Sequence, residues 1–269
     1  MVAPENSIVV IASILGLVFG SFLNVCIVRL PKGESVLAPR SHCRQCQHTI
    51  RAMDNIPVLG WVLLRGRCRD CGAKISLQYP LVEAATGMLF AACVAYAGAT
   101  WQGLLDAAAI FFLLGLAMMD AQTYLLPNAF TYGGMAMALL IRTAAPLLFQ
   151  RNIHAALLAA CHVVEDMFLA AAILLAVRWT YFWLRKQEGM GLGDIKLLAM
   201  MAAFLGLRPT LLAGALAVLA GAAVSLVLLA RGRMRIQDRI PFGSFLALSG
   251  IAVVFIGPPL LRWYLGFFR

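Results

Sequence analysis

Residues 104–120 read LLDAAAIFFLLGLAMMD, an apolar run from Leu104 to Met119 that stops on an acid, Asp120. A second acid, Asp194, opens another apolar run in residues 191–196, GLGDIK. Carboxylates beside membrane-length segments are expensive to keep, so two of them mark a candidate catalytic pair. Working outward, comparable runs recur at Ser7 to Val28, Leu81 to Ala97, Ala129 to Leu148, Met167 to Leu184, Leu192 to Leu205, Leu211 to Ala230 and Phe242 to Leu261. Each is near the ~20 residues a spanning helix needs, with Leu192 to Leu205 short.

With 62% hydrophobic residues, 13% charged ones and a mean hydropathy of +0.86 over 269 residues, the chain has too little polar surface for a soluble globule. No barrel-type alternation is present, and in lipid only helices then satisfy the backbone. The expected fold is an all-α integral membrane protein with about eight transmembrane helices. Ser7 to Val28 runs into Arg29-Leu30-Pro31 without a cleavage site, so it reads as a retained helix rather than a signal peptide. The expected domains are 1–28, a first transmembrane helix; 29–80, a cytoplasmic four-cysteine domain; and 81–269, a seven-helix membrane domain.

The 22 Lys and Arg residues set the orientation. With the N-terminus outside, the inner segments (Arg29 to Pro80, Asp120 to Asn128, the region around Arg185, and Arg231 to Arg239) hold 17 of them; Arg142, Arg151, Arg208, Arg262 and Arg269 stay outside. The net charge of +10 is thereby explained by topology and anionic headgroups, without nucleic acid. In this topology both Asp120 and Asp194 lie at the cytoplasmic boundary.

Arg29 to Pro80 is the one long polar segment, and it carries Cys43-x-x-Cys46 and Cys68-x-x-Cys71. Four thiolates on two knuckles suit a closed tetrahedral structural Zn2+ site, with Gly72 as the turn residue after the second knuckle. A reducing compartment argues against disulfides. His42 and His48 read as exposed loop residues, and Cys26, Cys93 and Cys161 as small packing residues. A segment this poor in apolar residues needs the metal to fold, and the module reads as a lid or platform beside the membrane site.

Among the other acids, Glu83 and Asp106 stand near the starts of spans, where a helix N-terminus welcomes negative charge; Glu165 and Asp166 read as an N-terminal cap before the fifth span. Asp120 sits instead at the unfavourable end of its helix dipole, which invites a functional explanation. Gly191 and Gly193 bracket Asp194 and permit close packing and unusual turns. Lys196 reads as snorkelling to headgroups. Two close carboxylates share a proton, so that one activates a water and the other polarises a peptide carbonyl. The run Gly189-Met190-Gly191-Leu192-Gly193 lacks the preceding strand of a dinucleotide loop.

Taken in order, Gly20-Ser21-Phe22-Leu23-Asn24-Val25, the two Cys-x-x-Cys pairs, Asn55-Ile56-Pro57, Ile75-Ser76 with Tyr79-Pro80 and Glu83, Asp120 with Leu126-Pro127, Gly191-x-Gly193-Asp194-x-Lys196 and Ile240-Pro241-Phe242-Gly243 resemble the type IV prepilin peptidases. That resemblance implies an aspartyl dyad of Asp120 and Asp194, supported by Gly191, Gly193 and Lys196, cutting prepilin or pseudopilin precursors after a glycine at the end of a short basic leader. It implies methylation of the new N-terminus with S-adenosylmethionine, in a bacterial inner membrane. Gly20, Asn24 and the cysteine loop form the neighbourhood of that second activity, and no residue is picked out for the methyl donor. Asn128 stands where the family more usually has Asp. Glu83 has a second reading, orienting the cysteine module. The basic leader is expected to meet Glu34, Asp54, Asp70 or lipid phosphates. Rival readings are a presenilin-like intramembrane aspartyl protease without methylation, a proton-coupled transporter and a zinc-ribbon scaffold. Oligomeric state is left open.

Overall fold

The computed structural model describes residues 4–187, 190–232 and 240–266; Gly189, Arg269 and most of the basic stretch Arg231 to Arg239 lie outside the described residues. Among the described residues every regular element is helical, apart from two isolated bridges, His42 with Thr49 and Arg67 with Lys74. In chain order the helices are α1 (Pro4–Arg29), the short α2 (Leu59–Leu63), α3 (Gln78–Ala97), α4 (Trp101–Thr123), α5 (Asn128–Gln150), α6 (Ile153–Arg185), α7 (Leu192–Leu205), α8 (Leu207–Ala230) and α9 (Phe242–Gly266). Six of them, α1, α3, α4, α5, α6 and α8, are long and apolar enough to cross a membrane. The chain forms two compact units, Met1–Phe111 and Phe112–Arg269, with α4 contributing to both.

In the first unit α1 and α3 pack closely because glycine lines their contact. A Cβ at Gly16 would lie 2.7 Å from Thr86 O, and one at Gly20 2.7 Å from the Glu83 Cα. The Gly16/Gly20 spacing puts both on one face a turn apart, the small-residue arrangement that lets helices approach in lipid. Phe19 and Phe22 pack edge-on and stacked, respectively, against Phe111. Cys26 and Cys93 are buried, as small packing residues would be, whereas Cys161 is exposed.

The second unit is organised around α7. Its residues Ile195 and Leu197 to Phe204 are all buried, so the helix is apolar on every side and enclosed on every side. It packs against α5, α6, α8 and α9. Fourteen residues span roughly 21 Å, less than a ~30 Å hydrocarbon layer. Gly206, at φ +84, ends α7 and leads directly into α8. Arg142 on α5 donates through Nη2 to the Phe204 carbonyl, 3.0 Å away, occupying an acceptor that the helix end leaves over.

Two readings of helix ends are corrected. Glu165 and Asp166 do not cap the fifth membrane helix: α6 begins fourteen residues upstream of Met167, at Ile153, and Asn152 Oδ1 caps it by accepting from Ala155 N–H at 3.0 Å. His162, Glu165 and Asp166 interrupt hydropathy, but with no Gly or Pro among residues 162–166 they do not interrupt a helix. Asp120 does not end its helix either. The α4 helix runs on to Thr123, one turn further, and stops where Tyr124 adopts φ +55.

Replacing Gly20 with Leu is expected to wedge α1 from α3 and destabilise the first unit by about 1–3 kcal/mol, the range for overpacking. Thermal unfolding in detergent, with Ile14→Leu on the exposed face as control, checks this.

Candidate active site and metal centre

Asp120 lies in the last turn of α4, where carbonyls rather than N–H groups are free, and only 6% of it is exposed. Its partners come from the first turn of α9. Asp120 Oδ2 accepts from the Ser244 backbone N–H at 2.7 Å, and Ser244 Oγ lies 3.1 Å from the same oxygen and 2.9 Å from the Ala117 carbonyl. The first N–H groups of a helix have no intrahelical acceptor and carry partial positive charge. Pro241, Phe242 and Gly243 thus deliver an anion-binding helix end onto Asp120. A Cβ at Gly243 would sit 3.0 Å from both Asp120 Cγ and Oδ2, so the glycine is what allows this approach.

Asp194 lies at the opposite end of its own helix, in the first turn of α7. It is the third residue of the helix after the Gly191 cap, half-buried, and its carboxylate reaches back to the Gly191 N–H, one half of a capping box. It is close enough to Asp120 for the two carboxylates to interact electrostatically. Leu126 lies between the first turns of α7 and α9: a Cβ at Gly193 would meet Leu126 Cδ1 at 3.2 Å, and one at Gly243 would meet it at 3.1 Å. Gly193 therefore serves close approach. Gly191 has φ −74 and ψ 150, an ordinary extended conformation, so neither glycine makes the unusual turn expected of them. Lys196 does not snorkel. Its Nζ donates to Asn128 Oδ1 at the start of α5 and lies 5.8 Å from the centre of the Tyr132 ring, tying α7 to α5 beside the two acids.

The cysteine module is built as two copies of one turn displaced by 25 residues, 43 to 68 and 46 to 71. In the first, Gln47 N–H donates to the Cys43 carbonyl at 2.9 Å and Cys43 N–H to the His48 carbonyl at 2.9 Å; in the second, Gly72 N–H reaches Cys68 O at 2.9 Å and Cys68 N–H reaches Ala73 O at 2.8 Å. The residue after each pair has positive φ, +60 at Gln47 and +70 at Gly72, which only the glycine adopts freely. All four Sγ atoms lie within 4.8 Å of one another, with Cys43 to Cys71 at 3.8 Å and Cys46 to Cys68 at 4.0 Å. Sulfurs at ~2.3 Å from a tetrahedral zinc would be about 3.8 Å apart, so the donor set fits that ion. The backbone N–H groups of Cys46 and Gln45 point at the Cys43 sulfur and pull its thiol down to about 6, while the Cys46 and Cys71 thiols of the same cluster are shifted up.

A line of contacts runs from the second knuckle to the α1–α3 pair. Arg69, between Cys68 and Cys71, holds Asp54 with two hydrogen bonds of 2.8 and 2.5 Å, and this guanidinium keeps the Asp54 carboxyl below its ordinary range. Asp54 belongs to a short turn, Ala52–Asn55, that leads into Val58, whose φ of +62 is strained for a β-branched residue. The Val58 N–H donates to Glu83 Oε2 at 2.7 Å. Glu83 is therefore no simple helix-end charge: it is 7% exposed and bonded to the module, and Ser21 of α1 bonds it too. Asp54 is committed to Arg69, and Asp70 lies 3.8 Å from the His48 ring, whereas Glu34 has no side-chain partner among the described contacts.

Residues 14–97 match a family model described as the bacterial Peptidase A24 N-terminal domain, and residues 107–226 one described as the type IV leader peptidase family. Over 95% of its length the chain is 35% identical to a prepilin leader peptidase/N-methyltransferase of Burkholderia pseudomallei (strain 1026b), covering 88% of that protein. It is 33% identical over 97% of its length to one from Stutzerimonas stutzeri, covering 95%, and 34% identical over 94% to one from Aeromonas hydrophila, covering 92%. The chain belongs to the type IV leader peptidase family. With its six long apolar helices, this family member is a multi-pass membrane protein. No solved structure matches it.

Sequence reasoning missed Ser244 in this leader peptidase family member. The available signal was Pro241 at the entry to an apolar run: an N-terminal helix end with free N–H donors and no acid of its own in the first turn. Leu126 was quoted only within a motif, and its role as the spacer between Gly193 and Gly243 has no local signature.

Gln47→Gly is expected to stabilise the metal-loaded module by up to about 1 kcal/mol by relieving the positive φ, and Gly72→Val to destabilise it by at least as much. Chelator-driven release of metal from the two variants, compared with wild type, checks both signs.

Proposed function

We propose that this chain is a membrane aspartyl endopeptidase that removes the short basic leader of type IV prepilins or pseudopilins after a glycine and then N-methylates the new N-terminal residue. The observation that carries the reading is that Asp120 and Asp194, from different helices, lie near enough to interact electrostatically while each carboxylate accepts from a backbone N–H at a helix N-terminus. The names of the relatives, prepilin leader peptidase/N-methyltransferase, support both activities and disfavour a presenilin-like protease without methylation or a transporter.

Asp120 and Asp194 form the catalytic dyad. Their proximity disfavours double ionisation, so the pair shares one proton. The ionised carboxylate takes a proton from a water, which attacks the carbonyl of the glycine. The neutral one donates to the carbonyl oxygen, and proton return to the leaving nitrogen completes cleavage. Gly193 and Gly243 permit the approach of the two helix ends, Gly191 offers the N–H that orients Asp194, and the Lys196–Asn128 link keeps α7 in register with α5.

Cys43, Cys46, Cys68 and Cys71 hold a structural Zn2+; with four thiolates the ion has no open position and takes no part in the chemistry. S-adenosylmethionine supplies the methyl group when bound. With α7 and α9 joining the six, eight membrane segments result, with 1–28 as the first helix, cytoplasmic domain 29–80 between the first and second segments in sequence, and 81–269 as the peptidase domain. The bias of basic residues towards 29–80 and the other inner segments supports a cytoplasmic placement of that module in the bacterial inner membrane, with a periplasmic N-terminus, and the same count of spans supports a cytoplasmic-face position for the dyad. Anionic lipid headgroups are the remaining partners.

Co-expression with a prepilin precursor, scored by leader loss and N-terminal mass, tests this reading. Wild type is expected to give a shortened product one methyl heavier, while Asp120→Asn and Asp194→Asn insert normally and leave the leader on; cleavage by both variants would refute the dyad. Gly243→Val is expected to push Asp120 off Ser244 and lower cleavage by tenfold or more, with metal content unchanged. Cys43→Ser is expected to lose the ion, about one zinc per chain in wild type, by elemental analysis.

A further inference from the structure

The α1–α3 contact contains a buried polar group that the peptidase reading leaves unused. Asn24 is 1% exposed; its Nδ2 donates to the Tyr79 carbonyl at 3.0 Å, but Oδ1 has no hydrogen-bond partner among the described residues. A buried amide oxygen without a donor is costly. On the same pair of helices, one turn away, Gly20 packs against Glu83, and the Glu83 carboxylate is buried between Ser21 and the Val58 N–H. A buried carboxyl group and a buried acceptor, with no cation among their described contacts, match one chemical class of ligand: an ammonium group, which brings positive charge and three donors.

We propose that Asn24 and Glu83 form the seat for the α-ammonium group of the cleaved substrate, and that Glu83 is the base of the methyl transfer. The inference rests on the methyltransferase reading above. Asn24 Oδ1 accepts one N–H of the incoming amine. Glu83 takes one proton from the ammonium, leaving a neutral amine whose lone pair forms the N–C bond to the methyl carbon of S-adenosylmethionine as the C–S bond breaks. The sulfonium becomes a neutral thioether, the product is a secondary ammonium, and the proton stays on Glu83 until solvent removes it, so charge and atoms balance. An amine must lose a proton before it can attack, because an ammonium has no lone pair. The strained Val58 has a place in this arrangement: its N–H holds the carboxylate in position, and Arg69 and Asp54 tie that loop to the metal knuckle.

The alternative is that Glu83 only anchors the Val58 loop, and Glu83→Gln separates the two roles, since its amide oxygen still accepts from Val58 but is no base. The full-length protein in nanodiscs is tested with a leaderless pilin peptide beginning with phenylalanine, in free-amine and N-acetylated forms. Without methyl donor, wild type is expected to bind the free amine at least tenfold tighter, and Glu83→Gln and Asn24→Leu to lose that preference. With donor, Glu83→Gln is expected to methylate about a hundredfold or more slowly, the scale of general-base catalysis, while leader removal and zinc content stay at wild-type levels. Wild-type methylation by Glu83→Gln, equal binding of the two peptides by wild type, or parallel loss of cleavage and methylation would overturn the proposal. A wild type that removes the leader yet transfers no methyl would instead refute the methyltransferase reading, and the seat with it.

Discussion

Asp120 presents a carboxylate at the end of a helix that already presents carbonyls, in an environment with little water to solvate either. Both the sign of the helix dipole and the shortage of N–H groups oppose it there. The first turn of α9 meets the need, with Ser244 N–H at 2.7 Å, and this single hydrogen bond explains why Gly243 lacks a side chain, why Leu126 sits where it does and why α4 and α9 meet at that depth. Asp194 faces no such conflict: it lies in the first turn of α7, where the dipole favours it, and reaches back to the Gly191 N–H. Two carboxyl groups can be kept close in a poor solvent because each is supplied with its own backbone N–H donor from a helix N-terminus.

The enclosure of α7 follows from that arrangement. A helix buried on all faces cannot rely on amphipathicity to set its rotation, so polar contacts at its ends do so: Lys196 on Asn128 at one end, Arg142 on the Phe204 carbonyl at the other. Between them, glycine and methionine accommodate the close neighbours. A Cβ at Gly250 would meet Met201 Cε at 2.8 Å and Leu113 Cδ1 at 3.1 Å, so the flexible thioether fills what a side chain at Gly250 would otherwise occupy.

The first unit shows a different economy. Its polar segment has little apolar material to bury, and order comes from duplicated knuckle turns, a bidentate Arg69–Asp54 pair and a loop bonded to Glu83. Each of these is a local geometric solution, and together they carry rigidity from four thiols to the buried face of α1 and α3. A charged guanidinium pair at a surface adds little by itself. Here its value lies in joining two elements that have no common core.

Much of this was legible in the chain itself. Apolar runs of the right length identify the long helices, because in lipid the backbone has no other way to satisfy its hydrogen bonds. Paired Cys-x-x-Cys spacing identifies a cysteine cluster able to hold a metal, since tetrahedral ligation makes short-range demands that two tight turns meet. The two acids stand out because their cost is set by local hydropathy. Helix ends were less legible: His162 to Asp166 resemble a boundary by polarity, yet α6 passes through them because nothing in those residues breaks a backbone hydrogen bond. What the tertiary structure alone decided is which groups from distant parts of the chain share a space. Ser244 against Asp120, Leu126 between Gly193 and Gly243, Val58 on Glu83 and the unpaired Asn24 oxygen are contacts between residues up to 124 apart, and no local pattern encodes them. Propensity and hydropathy act over a turn or a span, whereas these pairings depend on how closely the helices pack.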